Sequence, residues 1–592
     1  MKKRVADIIM DTLVELGVTD CFAVVGGGAM HLDNALLICE KIHKYFNHHE
    51  QACAMAAEAY AKACGRMAAV CVTSGPGATN TLTGVMGAWQ DSIPMFVLSG
   101  QVRYEISVPK SGLDLRYRGI QEYEIVPTVK HMTKYAKMIT EPKSIRAEVI
   151  KAYHIAMSGR KGPVWLDVPQ DIQNAMVEET ELLSEAGQER MFAVDDDMIE
   201  HIYQSIQNAK RPCILAGSGI TSAWVRKEFE ELVDKLGIPV IGGSWVADNF
   251  YMEHPLYYGP SGNIGPRTGN FILQNADYIL TLGNSLGFRQ TGFNQDAFAP
   301  NAKICMVDVD IEETKKPGLH ISESIVADLR EFIPKMLSKD FKVKPEDGWI
   351  AYCDKLKNHF SPFEAVQDIK MEDRVCAYYF WKIFQKYESS DSVLALGNNT
   401  ANTAKLQVGV QKREQRVITN YTCGSMGYDL PAAVGAAVAL KREIICVTGD
   451  GSIMMNLQEL QTIRGYHLPV KVVVFENNGY NAIKQTSKNF FGGACIGCSP
   501  ETGVSFPDFK KIADAFEYEY YCCHSNEELE DGLQWLFAKK GNLFLEVKQR
   551  LDDPIIPKLM SKLDEYGNMQ TPALDDMYPF INEEEHKKMM LW

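Results

Sequence analysis

VTGDGSIMMNLQELQTIRGYHLPVKVVVFENNGYNAI, residues 447–483, reads as strand, helix, strand. The first apolar run ends in Gly449-Asp450-Gly451-Ser452, and Ile453, Leu457, Leu460 and Ile463 then keep a helical spacing. A second apolar run, 470–475, ends in Glu476-Asn477-Asn478-Gly479. Parallel α/β sheets bind ligands outside the carboxyl ends of their strands, so the two strand ends bring an Asp and an Asn to one edge. The helix N-terminus between them adds unpaired N–H groups and a positive partial charge of about half a unit. Glycine on each side of Asp450 lets backbone approach phosphate closely. Magnesium takes about six oxygens, usually one or two carboxylates with phosphate and water. Asp450, the amide oxygen of Asn477 and the carbonyl of Gly479 would supply three of them. The stretch suits a diphosphate with its metal.

Outward from it, the 592 residues exceed one hydrophobic core and call for about three or four domains. A net charge of −15 with no clustered Lys or Arg argues against a nucleic-acid surface. No apolar run approaches the roughly twenty residues of a membrane span. The basic start is followed by Asp7 and Asp11 in an amphipathic helix, unlike a signal peptide. A soluble, cytoplasmic protein is expected. The fifteen cysteines sit mostly in apolar segments, the pattern of reduced thiols, and Cys495-Ile-Gly-Cys498 is the one CxxC.

The expected fold class is α/β: three doubly wound parallel-sheet domains at 1–175, 190–337 and 373–550, with a C-terminal tail at 551–592. In the first, apolar strands end in Gly26-Gly27-Gly28, in His48-His49-Glu50-Gln51, in Ser74-Gly75-Pro76-Gly77 and in Gly100-Gln101, with helices between. The triple glycine is not a dinucleotide fingerprint, because His31 stands where a third spaced glycine belongs. Glu50 alone reads as a helix N-terminal acid or, at an apolar strand end, as a carboxyl of raised pKa.

The segments HHEQACAMAAEAYAKACGRMAAVCVTSGPGATN and GPVWLDVPQDIQ, with the later GSMGYDLPAAVGAAVAL and the stretch quoted first, resemble the thiamine-diphosphate enzymes, in their acetolactate synthase branch. The likeness covers most of residues 1–550. It implies that the three domains bind, in order, the pyrimidine, FAD in a non-redox role, and the diphosphate with Mg²⁺. Glu50 would then be the acid hydrogen-bonded to the pyrimidine ring, assisting proton removal from the thiazolium. Asn398, Asn399, Gly424, Gly449, Gly451, Ser452 and Gly479 would meet the diphosphate and its metal. Met426 would prop the cofactor in its bent shape. Glu476 departs from the family's first Asn, while the metal-ligand positions Asp450, Asn477 and Gly479 match. Carried over by position, Arg160, Gly217, Gly219, Gly259, Gly283, Arg289, Asp308, Asp310 and Asp328 match FAD contacts, although Gly259-Pro260-Ser261-Gly262 and Gly287 depart from the usual pattern.

The resemblance implies decarboxylation of a 2-oxo acid, pyruvate foremost, and transfer of the two-carbon unit to an acceptor carbonyl. Gln101, Gln121 and Gly27 match residues beside the reacting carbons, and 101–115 lacks the His-His pair of pyruvate decarboxylases. The acceptor side departs: the family Trp is Thr486 here, and a family Lys is Gln170. A smaller side chain enlarges the pocket, which leaves room for a larger acceptor such as a keto-sugar nucleotide. Lys484 and Gln485 flank the same edge. The same residues also leave open a simple 2-oxo acid decarboxylase and a non-catalytic, cofactor-retaining regulatory subunit. The family shares its site between chains, implying a homodimer or homotetramer.

Overall fold

The apolar runs pair into three six-stranded sheets, every neighbouring pair parallel. The computed structural model describes all residues except Met1, 183–193, Trp245, Lys342, Lys344, Tyr421 and 564–566. Part of the stretch joining the first and middle domains, 183–193, therefore lies outside the described residues. With strands numbered within each unit, the first and third sheets share one order, 2-1-3-4-6-5, and the middle sheet runs 3-2-1-4-5-6. The latter is the order of dinucleotide-binding sheets, whose ligand crevice opens where the strand order reverses.

The first sheet centres on Asp20–Ala23, Ala69–Val72, Met95–Gln101 and Pro163–Pro169, with His43–Phe46 on one edge and Tyr135–Met138 on the other. The third centres on Val393–Leu396, Ile444–Gly449, Val470–Glu476 and Leu543–Lys548. Their central strands are buried on both faces, as near-continuous runs of Val, Ile, Leu and Ala require.

One apolar core runs through both of these domains. Its seam is the Ala-rich helix Glu50–Cys64 against helix Asp429–Leu440. Small side chains let the axes close until a Cβ on Gly435 would lie 2.0 Å from the Ala56 carbonyl oxygen. Polar ties complete the seam. Asn47 donates to Glu459 at 2.8 Å, the N–H of His48 to the same carboxylate at 3.1 Å, and Asn456 to the Gln51 side chain at 3.0 Å.

Three regions depart from the sequence reading. The helix after Gly449 is two short ones, Asp450–Ile453 and Glu459–Gly465. Between them the Asn456 amide turns to the Gly427 carbonyl at 2.7 Å and to Gln51, which helical geometry would forbid. Residues 338–372, between the expected middle and third domains, contain helix Trp349–His359, whose Trp349, Cys353 and Leu356 bury in the core of the middle domain. The tail at 551–592, for which the sequence reading names no partner, docks on the buried helix Arg267–Asn275 of its own middle domain. It satisfies that helix's polar residues: Asn270 donates to the Leu574 carbonyl at 3.1 Å, Gln274 to Asp575 at 3.0 Å, and Asn275 accepts the N–H of Leu591 at 2.7 Å.

Candidate active site

The third domain's strand order reverses between Val393–Leu396 and Ile444–Gly449, and the site lies at their carboxyl ends. Asp450 is buried there. Its carboxylate accepts the backbone N–H of Gly451 at 2.7 Å and those of Asn477 and Gly479 at 3.1 Å each. Burial pushes its pKa up to about 6, with the three N–H bonds pulling the other way. Gly479 has φ of +152°, and a Cβ on it would meet the Cys498 carbonyl oxygen at 2.1 Å. On Gly451 a Cβ would meet the Tyr480 ring at 2.2 Å. Only glycine fits either place.

Among the described residues, side-chain atoms of Asn477 and Asn399 are buried beside Asp450 and Gly449 without a partner. Asn477 turns its NH₂ to Gln549 at 3.1 Å, leaving Oδ1 unpaired. Asn399 spends its oxygen on the N–H of Asn402 at 2.8 Å, capping helix Thr400–Val408, and leaves Nδ2 unpaired beside Gly449. A buried unsatisfied polar atom costs about 1–3 kcal/mol, so such atoms mark places where a ligand completes the bonding. An acceptor next to Asp450 fits a hard cation, and a donor beside Gly449 fits a phosphate oxygen. The residues present fit a diphosphate and its metal.

Glu476 does not disturb this set. Burial disfavours its charge, but Arg374 at 2.8 Å and Lys548 at 3.1 Å outweigh that and hold its pKa below the ordinary value. Asp429, which sequence reading missed, lies deeper. It accepts the hydroxyls of Thr448 at 2.7 Å and Ser452 at 2.6 Å, while Ser452 accepts the N–H of Gly427 at 2.9 Å. The Ser452 hydroxyl proton is thereby turned away from the edge, and its backbone N–H is the group left for phosphate. The one sequence signal was an acid opening an otherwise apolar helix. Gln549 was also missed, and nothing in its surroundings in sequence marks it. Asn398 donates to the Gly424 carbonyl at 2.6 Å, holding the loop of half-buried Met426.

In the first domain Glu50 opens its helix at the sheet edge, half-buried, and accepts from Asn80 at 3.0 Å. The strand before it is half-exposed, so the fully dry setting expected for this carboxyl is not met within one chain. Gly27 is exposed, with open space where a Cβ would stand. Gln170 donates to its carbonyl at 2.6 Å. Gln121 is exposed with φ of +60°. Gln101 is interior: its NH₂ donates to the Tyr123 carbonyl at 2.8 Å and to Asp167 at 3.1 Å, and its oxygen accepts the N–H of Val102 at 3.0 Å. Asp167, pushed up to about 7 by burial, fixes that orientation.

The middle domain holds a cavity of about 500 Å³ at its own switch point, lined by Arg160, Gly217, Gly219, Gly283, Arg289, Asp308 and Asp328 among others. Asp310 reaches it through an ion pair with Arg160 at 3.3 Å. Arg160 also pairs with Glu313, a cavity-lining acid that sequence reading missed. Gly259 lies away from the lining. Burial pushes Asp308 up to about 6.

Strand order, duplicated outer domains and the clamp at 449–479 define a thiamine-diphosphate enzyme. Models of that family match all three parts: the thiamine pyrophosphate enzyme N-terminal TPP binding domain at 3–122, the central domain at 199–336 and the C-terminal TPP binding domain at 395–547. The chain belongs to the thiamine pyrophosphate enzymes and is a catalytic, thiamine-diphosphate-dependent member. Within them it is similar to the acetolactate synthase isozyme 3 large subunit of Escherichia coli (strain K12), 30% identical over 89% of this chain and 91% of that one. The probable acetolactate synthase large subunit of Methanococcus aeolicus is 31% identical over 87% and 86%. The acetolactate synthase large subunit of Lactococcus lactis subsp. lactis (strain IL1403) is 29% identical over 94% of each chain.

Proposed function

We propose that the enzyme decarboxylates pyruvate and joins the two-carbon unit to an acceptor carbonyl, using thiamine diphosphate and Mg²⁺. The observation that carries the reading is the pair of unsatisfied atoms, Asn399 Nδ2 and Asn477 Oδ1, flanking the Asp450 edge. When bound, the cofactor supplies the nucleophilic carbon and stores the electrons left by departing CO₂. The chain does the rest. Asp450, Asn477 and the Gly479 carbonyl hold the metal, Asn399 and the Ser452 N–H hold phosphate, and Met426 supports the bend. Glu50 holds a proton at its carboxyl for the pyrimidine nitrogen, with Asn80 fixing its direction. Gly27 leaves room for the reacting carbons. The acid and the clamp are taken to meet between two chains, so a homodimer or larger is the working unit. FAD, if carried, lies in the middle cavity; the fifteen free thiols suit a reducing, cytoplasmic setting.

A second reading concerns the acceptor. Helix Asn481–Phe490 presents Lys484, Thr486 and Ile483 with no aromatic at 486, and the Thr486 hydroxyl is turned back to the Ala482 carbonyl at 3.0 Å. That edge is open and suits an acceptor larger than pyruvate. Gln485 is spent on the Asp553 carbonyl at 2.8 Å and is not available to it. Incubation with pyruvate, thiamine diphosphate and Mg²⁺, with and without keto-sugar nucleotides, separates these readings by product mass. Acetolactate supports the first and a branched sugar the second. Acetaldehyde alone, or no turnover, would overturn both.

A further inference from the structure

We propose that Cys495 and Cys498 form a thiol–disulfide exchange site on the outer wall of the metal clamp, closed by a small-molecule disulfide and reopened by a dithiol reductant. The pair lies in the glycine-rich segment that follows helix Asn481–Phe490 and folds back over the clamp. The Cys498 carbonyl accepts the N–H of Tyr480 at 2.9 Å and fills the space in front of Gly479. The Tyr480 ring in turn fills the space in front of Gly451. Cys498 thus touches the turn that carries one proposed metal ligand and, through one ring, the glycine beside another.

The two thiols differ in access. Cys498 is buried, and its N–H donates to the Thr502 hydroxyl at 2.9 Å. Cys495 is half-exposed and stands three residues before it, across the positive-φ Gly497. The ammonium of Lys484 lies 2.7 Å from where a Gly479 Cβ would stand, bringing positive charge to the same spot. Gly492, Gly493 and Gly497 have positive φ, so closure is accommodated on the Cys495 side while Cys498 stays anchored. No third His, Cys, Asp or Glu side chain joins the pair in a metal-binding group among the described residues.

The chemistry balances without a further reactant. The Cys495 thiolate attacks one sulfur of a disulfide RSSR, forming a mixed disulfide and releasing RS⁻. The Cys498 thiolate then attacks the Cys495 sulfur, the protein S–S bond forms and the second RS⁻ leaves. The two protein protons end on the two released thiols, and the small disulfide gains the two electrons the protein loses. The closed bond staples the segment whose carbonyl holds Tyr480, stiffening the clamp's outer turn. That link to a clamp rests on the cofactor reading above; the dithiol chemistry does not.

The test uses the full chain without added cofactor, treated with oxidised glutathione, digested and read by mass spectrometry. The peptide holding both cysteines is expected to lose two hydrogens about tenfold faster than any other cysteine reacts, reversibly with dithiothreitol. Hydrogen exchange across 477–498 is expected to slow about threefold. C498S is expected to trap glutathione on Cys495, and C495S to leave Cys498 unmodified. A lasting glutathione adduct on Cys495 of the unaltered chain, a disulfide to a different cysteine, or unchanged hydrogen exchange after oxidation would overturn the proposal. A chain that failed to bind thiamine diphosphate by calorimetry would sink the cofactor reading and move none of these readouts.

Discussion

The diphosphate edge and the middle-domain cavity are both switch-point sites, yet they keep their polar groups in opposite ways. At the edge Asn399 Nδ2 and Asn477 Oδ1 are buried and unpaired. In the cavity the charges answer one another: Arg160 with Glu313 and Asp310, Asp328 with Arg330. Unsatisfied atoms destabilise the empty fold and are retained where a ligand regularly completes them. A cavity that satisfies itself stands without its ligand, and an incoming anion must break an ion pair to enter. The edge is built around an obligatory ligand; the cavity tolerates vacancy.

The largest effect is expected at the edge and at Glu50, the acid proposed to face it. Glu50→Gln should lower kcat about 10²–10⁴-fold with cofactor affinity little changed, because a proton-transfer partner is lost and no phosphate or metal contact is. Asp450→Ala should abolish turnover through lost metal-dependent binding, measured by calorimetry with and without Mg²⁺. Mixing the two inactive variants sharpens the point. If the acid and the clamp come from different chains, hybrid dimers regain one intact site, and about a quarter of wild-type activity should return. No recovery in verified heterodimers would place both groups in one chain.

On the proposed ligand set a proton competes with the metal at Asp450, whose pKa is pushed up to about 6. An acid whose pKa rises on folding holds its proton more tightly when folded. The stability it gives the metal-free chain is therefore full below the ordinary carboxylate range and is lost as pH climbs through about 6. Metal binding has the opposite sign. Affinity for the magnesium–diphosphate complex should fall about tenfold per pH unit below 6 and level off above it. Melting temperatures of the metal-free and loaded protein should diverge as pH rises from 5 to 7. Parallel curves would remove Asp450 from the ligand set.

The edge was legible because its information is local: Asp450 and Asn477 each end an apolar run, and the glycines stand beside them in sequence. What escaped was set by distant partners. The helix expected through 453–463 breaks because the Asn456 amide bonds Gly427 and Gln51. Gln101 turns inward because Asp167, sixty-six residues on, claims its amide. Arg160 reads as an FAD contact by position, yet Glu313 pairs with it from across the domain boundary. Strand order was equally hidden. The same alternation of strands and helices serves 2-1-3-4-6-5 and 3-2-1-4-5-6, and only pairing distinguishes the outer sheets from the middle one.

A smaller effect is expected at the acceptor edge. Thr486→Trp restores bulk on an exposed helical position whose hydroxyl serves only its own backbone, so folding should be unaffected. The product ratio with pyruvate against a bulky acceptor competing should move about tenfold toward acetolactate. An unchanged ratio would mean that this helix does not border the acceptor.

The smallest effect belongs to the cavity, and it tests the contrast from the self-satisfied side. Glu313 is mostly buried, its carboxylate shared between Arg160 and Lys316. Glu313→Gln keeps the shape and removes the charge that Arg160 must desert to meet a phosphate. FAD affinity, read by quenching of flavin fluorescence, should rise about three- to tenfold. Turnover should not change, because the proposed reaction routes no step through the flavin and the clamp is untouched. Arg160→Ala should move affinity the other way by a similar factor, since it removes the cation itself. If both substitutions lowered affinity, the Arg160–Glu313 pair would be part of the ligand's seat, and the cavity would have to be counted with the edge as a site completed from outside.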